Sequence, residues 1–94
     1  MSVKRAVFFI SDRTAITAET FGHSLLIQFD DVDFQKITLP FIDSLWKAQD
    51  ALEQINDARE HTGSRPIIFS TIVNSQVRKL ILSCEATVVD LFDA

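Results

Sequence analysis

Within seven residues the chain sets Ser11, Asp12, Arg13, Thr14 and Thr17, two kinds of hydroxyl, a carboxylate and a guanidinium. They stand at the start of the first apolar pattern with helical spacing, where unbonded N–H groups and the helix dipole attract anions. Ser11, Arg13, Thr14 and Thr17 are therefore candidate phosphate ligands. The same residues fit a plainer use, with Asp12 or Thr14 capping the helix and Arg13 solvated. The segment lacks the glycines of a dinucleotide fingerprint and contains no G-x-x-x-x-G-K-[ST].

Glu19 and His23 lie four residues apart, so they share a helix face and can act as an acid and base. With Asp12 they are the candidate catalytic residues, and a solvated ion pair would have the same spacing. Asp43 reads as the cap of a second helix, and His61 as a last-turn residue suited to the dipole. Phe41 and Trp46 line a pocket, meet a neighbouring domain, or belong to the core. Cys84 reads as a small hydrophobe on the apolar face of a third helix. It is the one cysteine, so no internal disulfide can form, no metal-ligand spacing exists, and a cytoplasmic setting is expected.

The elements that position these residues follow from hydrophobic periodicity. Val7 to Ile10 is continuously apolar, as in a strand covered on both faces. From Ala15 to Phe29, the residues Ala18, Phe21, Leu25 and Phe29 step by three and four, which predicts a helix with that stripe inward. Glu19 and His23 then face roughly away from it. Gly22, inside this helix, costs about 1 kcal/mol relative to Ala, which points to a close approach to the sheet.

Phe34 to Leu39 alternates as a second strand and stops before Pro40. A helix from Ser44 to Thr62 places Leu45, Ala48, Leu52, Ile55 and Ala58 on one stripe, with Asp43 or Ser44 as cap and Gly63 in the left-handed position after it. Pro66 to Ser70 is a third strand. Val73, Val77, Leu80, Ile81 and Cys84 mark a third helix, and Ala86 to Phe92 a fourth strand.

The order β-α-β-α-β-α-β favours parallel pairing with right-handed crossovers. It predicts an open, mostly parallel four-stranded sheet in a flavodoxin-like or Rossmann-like three-layer α/β fold, with strand order 2-1-3-4. That order sets Ser11 to Thr14 at the switch point, where ligands bind outside the carboxyl ends of the strands. The other segments at that end are Leu39 to Asp43, Ser70 to Asn74, and whatever follows Leu91. With 94 residues, 47% hydrophobic and 23% charged, one ordered domain with one core is expected. The formal charge of −4 argues against nucleic acid as a partner, and no apolar run is long enough for a membrane span.

The string from Val7 to Leu26, which contains Ser11-Asp12-Arg13-Thr14-Ala15-Ile16-Thr17-Ala18-Glu19-Thr20-Phe21-Gly22-His23, resembles the bifunctional kinase and pyrophosphorylase family. Ile37 to Ile42, Gly63 to Ser70 and Ile72-Val73 extend that resemblance over essentially the whole chain. It implies a protein that uses ADP to phosphorylate a threonine of its target, phosphoenolpyruvate synthase or pyruvate, phosphate dikinase, and that reverses this with phosphate, releasing pyrophosphate. Relatives are longer and carry a nucleotide-binding P-loop in a C-terminal domain, which no position here matches. Residues 1–94 are then expected to be the single N-terminal α/β domain of a longer enzyme, partnered by its C-terminal domain and open to homodimer formation through an uncovered strand edge. Such a piece alone binds no cofactor and transfers no phosphate, while ADP and phosphate serve the full-length enzyme. Relatives usually have glycine where this chain has Arg13, which removes any backbone freedom a phosphate-gripping loop would draw on. A stand-alone anion-binding or protein-interaction module is the alternative, and whether the reading frame continues past Ala94 separates the two.

Overall fold

The computed structural model describes residues 3–92. The elements are β1 (Val3–Ile10), α1 (Ile16–Leu26), β2 (Val32–Leu39), α2 (Leu45–Thr62), β3 (Ile67–Ser70), α3 (Ser75–Leu82) and β4 (Thr87–Asp90). They form one all-parallel sheet in the order β2-β1-β3-β4, as the sequence predicts. Val7 aligns with Lys36 on one side and Ile67 on the other, and Ile67 with Thr87.

β1 is apolar at every residue from Ala6 to Ile10 because helices cover both of its faces. Ala6, Phe8 and Ile10 point into a core with Ala48, Ala51 and Ile55 of α2 and Val77 and Ile81 of α3. Val7 and Phe9 point the other way, to Ala18 and Leu26 of α1 and Phe69 of β3. Each buried Phe or Ile here contributes about 1.5–3 kcal/mol. The chain moves from β1 to β2 in one direction and from β2 through β3 to β4 in the other, so crossovers of a single hand must leave α1 alone on its face.

Helix α1 departs from its expected stripe. It ends at Leu26 rather than Phe29, and Ala18, Gly22 and Leu26 face the sheet while Phe21, Leu25 and Phe29 are exposed. Small residues let the helix sit low: a Cβ on Gly22 would overlap the Phe9 ring and come within 3.0 Å of Phe69. Larger side chains are displaced to the flanks. Neither Asp12 nor Thr14 caps the helix; Ala15 occupies the N-cap in the left-handed region, φ 68°, with no side-chain acceptor.

In α2, Ser44 rather than Asp43 is the cap, accepting from the Lys47 N–H, and Leu45 is exposed instead of buried. Gly63 takes the left-handed C-cap, φ 70°. Asn74 caps α3, which leaves Val73 outside it, and Cys84 lies past its end, so neither belongs to its stripe. β1 and β2 begin earlier than their apolar runs because Val3 to Arg5 pairs with Val32 to Phe34. β4 is shorter than expected, with Leu91 and Phe92 beyond it. Asp93 and Ala94 lie outside the described residues.

Candidate functional site

A cleft of about 600 Å³ opens at the carboxyl ends of β1, β3 and β4. Ser11 through Thr17 line one side, Thr71 and Val73 another, and Leu91 and Phe92 a third. Its position follows from the topology: β1 hands the chain to α1 on one face, β3 hands it to α3 on the other, and the diverging loops leave a gap.

Hydrogen bonds across neighbouring loops fix the floor of this gap. Ser11 is 4% exposed; its N–H donates to the Leu39 carbonyl at 3.2 Å and its own carbonyl accepts from Ile42 N–H at 2.9 Å. Its hydroxyl oxygen accepts from Arg13 N–H at 3.0 Å, which turns the chain sharply after β1. The Arg13 carbonyl accepts from Phe41 N–H at 2.8 Å, tying the β2–α2 loop to the β1–α1 loop. Asp12 reaches across the switch point, where its Oδ2 accepts from the Val73 N–H at 3.1 Å. Thr71 N–H donates to the Ile10 carbonyl and Leu91 N–H to the Ser70 carbonyl, so all three strand ends are laced together.

Four candidate phosphate ligands and Asp12 thus come together around one cleft. Arg13, Thr14 and Thr17 are exposed, while Ser11 is spent largely on holding the turn. The guanidinium of Arg13 has no side-chain partner among the described residues. The first intrahelical bond of α1 runs from Glu19 N–H to the Ala15 carbonyl, and no side chain accepts from the first-turn N–H groups before it. α2 and α3 both have side-chain caps.

Glu19 and His23 are not in the cleft, and each finds its partner on β2 rather than in the other. The hydroxyl of Thr38 donates to Glu19 Oε2 at 2.7 Å. Lys36 Nζ stands 3.2 Å from His23 Nδ1, and the His23 ring lies 5.4 Å from that of Phe9. They do not pair because the helix turns this edge towards β2.

Two features of the site carried no clear sequence signal. Ala15 and Phe41 are the non-glycine residues with positive φ among the described residues, 68° and 59°, and both flank the Arg13 turn. Phe41 and Trp46 are exposed, Trp46 by 69%, so neither joins the core. Asp43 pairs with Lys47, whose hydrogen bond holds the carboxyl below its ordinary range.

A larger concavity, about 810 Å³, lies at the opposite end of the sheet between the α2–β3 and α3–β4 loops. Three of its charged residues already have partners: Arg59 pairs with Glu85, and Arg65 donates to the Ala86 carbonyl. Cys84 lines it, and partial burial pushes its thiol pKa up. No helix N-terminus opens there.

Among the described residues no helix is long and apolar enough to cross a membrane. The sequence matches the family described as Kinase/pyrophosphorylase over residues 7–94. A relative from Pseudomonas fluorescens Pf-5, named "Putative phosphoenolpyruvate synthase regulatory protein", is 52% identical over 90 residues, covering 96% of this chain and 33% of its own length. Relatives of the same name from Alkalilimnicola ehrlichii and Hahella chejuensis are 50% and 52% identical over 90 residues, with 32% and 33% of their own lengths covered. The chain therefore spans about a third of the length of these curated relatives. No solved structure matches it.

Proposed function

The chain belongs to the kinase/pyrophosphorylase family, and we propose that it forms the part of a phosphoenolpyruvate synthase regulator that holds a phosphoryl group beside the target. In that reaction a threonine hydroxyl of the synthase attacks the terminal phosphorus of ADP, forming phosphothreonine and releasing AMP. In the reverse regulation, inorganic phosphate attacks the phosphothreonine phosphorus, which frees the threonine and forms pyrophosphate. Both steps develop charge on phosphoryl oxygens, and fixed donors stabilise it most effectively where water is excluded.

The observation that carries this reading is the uncapped N-terminus of α1 opening into the switch-point cleft beside the exposed side chains of Arg13, Thr14 and Thr17. Free N–H groups, two hydroxyls and a guanidinium suit a phosphate. Asp12, fixed by the Val73 N–H, is the carboxylate nearest to that position in the loop and is proposed to orient the attacking hydroxyl. Glu19 and His23 lie outside the cleft and are weaker candidates for direct chemistry. No loop among the described residues has the glycine-rich sequence and lysine that cradle a nucleoside diphosphate, so the donor is proposed to be held by the remainder of the longer family chain. Phosphoenolpyruvate synthase is preferred to pyruvate, phosphate dikinase as target because the relatives carry its name. A cytoplasmic setting accords with that target.

The test is a phosphothreonine assay with ADP and phosphoenolpyruvate synthase. The 94-residue chain alone should form none, a full-length relative should form it readily, and Asp12→Asn at the matching position should abolish most of the full-length rate. An unchanged rate in that variant removes Asp12 from the mechanism, and activity in the short chain overturns the division of labour.

A further inference from the structure

The two faces of the sheet are covered unequally. α2 and α3 close one face together, while α1 closes the other alone, its Gly22 set against Phe9 of β1 and Phe69 of β3. A helix is about 10 Å across and strands are about 4.8 Å apart, so one helix shields about two strands of four. Towards β2 the remaining strip is polar, with Glu19 on Thr38 and His23 on Lys36. Towards β4 it is apolar.

On that side Ile67 of β3, Val89 of β4 and Leu91 are only half-buried beside Phe69. Phe21 and Leu25 extend the strip along the flank of α1, 48% and 38% exposed. Each follows Glu19 or His23 by two positions, about 200° around the helix, which turns them from β2 towards β4. All-parallel sheets bury both faces, because a half-covered one leaves apolar side chains in water.

We propose that this strip seats an amphipathic helix lying alongside α1 over β3 and β4, supplied by the two thirds of the family chain outside the matched region. This goes beyond the phosphoryl-transfer reading and does not depend on it. The relatives have the length to supply such a helix, since the match accounts for 33% of the Pseudomonas fluorescens protein. The topology also dictates how it arrives. Continued outward growth past β4 would add helices to the α2–α3 face, so the α1 face is reached only by an element that turns back after a strand on the free edge of β4. That is the sheet order 2-1-3-4-5 of flavodoxin-like folds. A second copy of the chain fits less well, because each carries a formal charge of −4.

The experiment uses the full-length Pseudomonas fluorescens relative with a benzophenone amino acid at the position matching Phe21, and separately at that matching Leu25. The solvent-facing position matching Thr20 serves as control. Irradiation and peptide mapping should give cross-links within one chain, from both test positions to a helical segment outside the matched third, at several times the control yield. Cross-links solely between chains would make the strip a homodimer face and overturn the proposal. Equal yields at test and control positions would overturn it too, leaving the strip open to solvent.

Discussion

The carboxylate of Asp12 accepts the backbone N–H of Val73 at 3.1 Å, across a sequence separation of 61 residues. This bond joins the loop after β1 to the loop after β3 across the cleft, beside the Thr71 N–H bond to the Ile10 carbonyl. Asp12→Ala should lower stability by about 1 kcal/mol, the usual net worth of such a bond at a partly exposed site. Amide exchange at Val73 should speed up at the same time. Asp12→Asn keeps an acceptor oxygen and should restore most of the Val73 protection, as heteronuclear NMR would show.

Gly22 is the point at which α1 touches the sheet. Alanine there would gain about 1 kcal/mol of helix propensity, but its Cβ would overlap Phe9 and press on Phe69. Overpacking of this kind costs about 1–3 kcal/mol, and the rings are fixed on two strands, so the loss should win. Gly22→Ala should therefore reduce stability in urea unfolding. An unchanged or raised midpoint would show that the helix lifts freely.

Strand order and the polar loop at the switch point were legible in the sequence because both follow from long apolar runs and their spacing. Val7 to Ile10 could only be a strand buried on both faces, and Ser11 to Thr17 could only follow it. The inward face of α1 was not legible from hydrophobicity, since the contact is made by Ala18 and Gly22 and the bulky Phe21 is displaced to the flank. Periodicity counts size, while close packing here selects for its absence. The partners of Glu19 and His23 were hidden for a related reason: Thr38 and Lys36 meet them only through the β1–β2 register.

Ala15 holds φ 68° at the N-cap of α1, a conformation that costs a residue with a Cβ about 1–2 kcal/mol. Ala15→Gly removes that strain and gives back about 0.5–1 kcal/mol through the greater freedom of the unfolded chain. The net expectation is a gain of about 0.5–1 kcal/mol, visible as a higher thermal midpoint. A loss would mean that burial of the Ala15 methyl outweighs its backbone strain.

Cys84 is half-buried beside the α3–β4 turn, and desolvation raises its thiol pKa. Its thiolate is then scarcer in the folded chain than in the unfolded one. The stability it contributes is fully present below the unfolded thiol pKa and is lost as pH rises through the folded one. Iodoacetamide should label Cys84 more slowly in the folded chain than in urea at pH 8.5. Cys84→Ala should flatten the alkaline fall in stability.

Arg13 tests whether the cleft holds phosphate through side chains or through backbone. Its φ is not positive, unlike those of Ala15 and Phe41, so arginine is unstrained at this position. Its carbonyl is used by Phe41 and its N–H by Ser11, and both bonds survive any substitution that keeps the turn. The guanidinium itself holds nothing in place, so Arg13→Ala and Arg13→Gly should leave the thermal midpoint nearly unchanged. If phosphate sits at the α1 N-terminus, loss of one exposed, charge-assisted contact of about 1 kcal/mol should weaken binding about five-fold in either variant. The weakening should shrink in high salt, which screens the arginine but leaves the helix N–H groups in place. Phosphate titrations followed by amide shifts at Ile16, Thr17 and Ala18 measure both effects. Shifts confined to other residues, or equal affinity in the two variants and the parent chain, would remove Arg13 from the anion site.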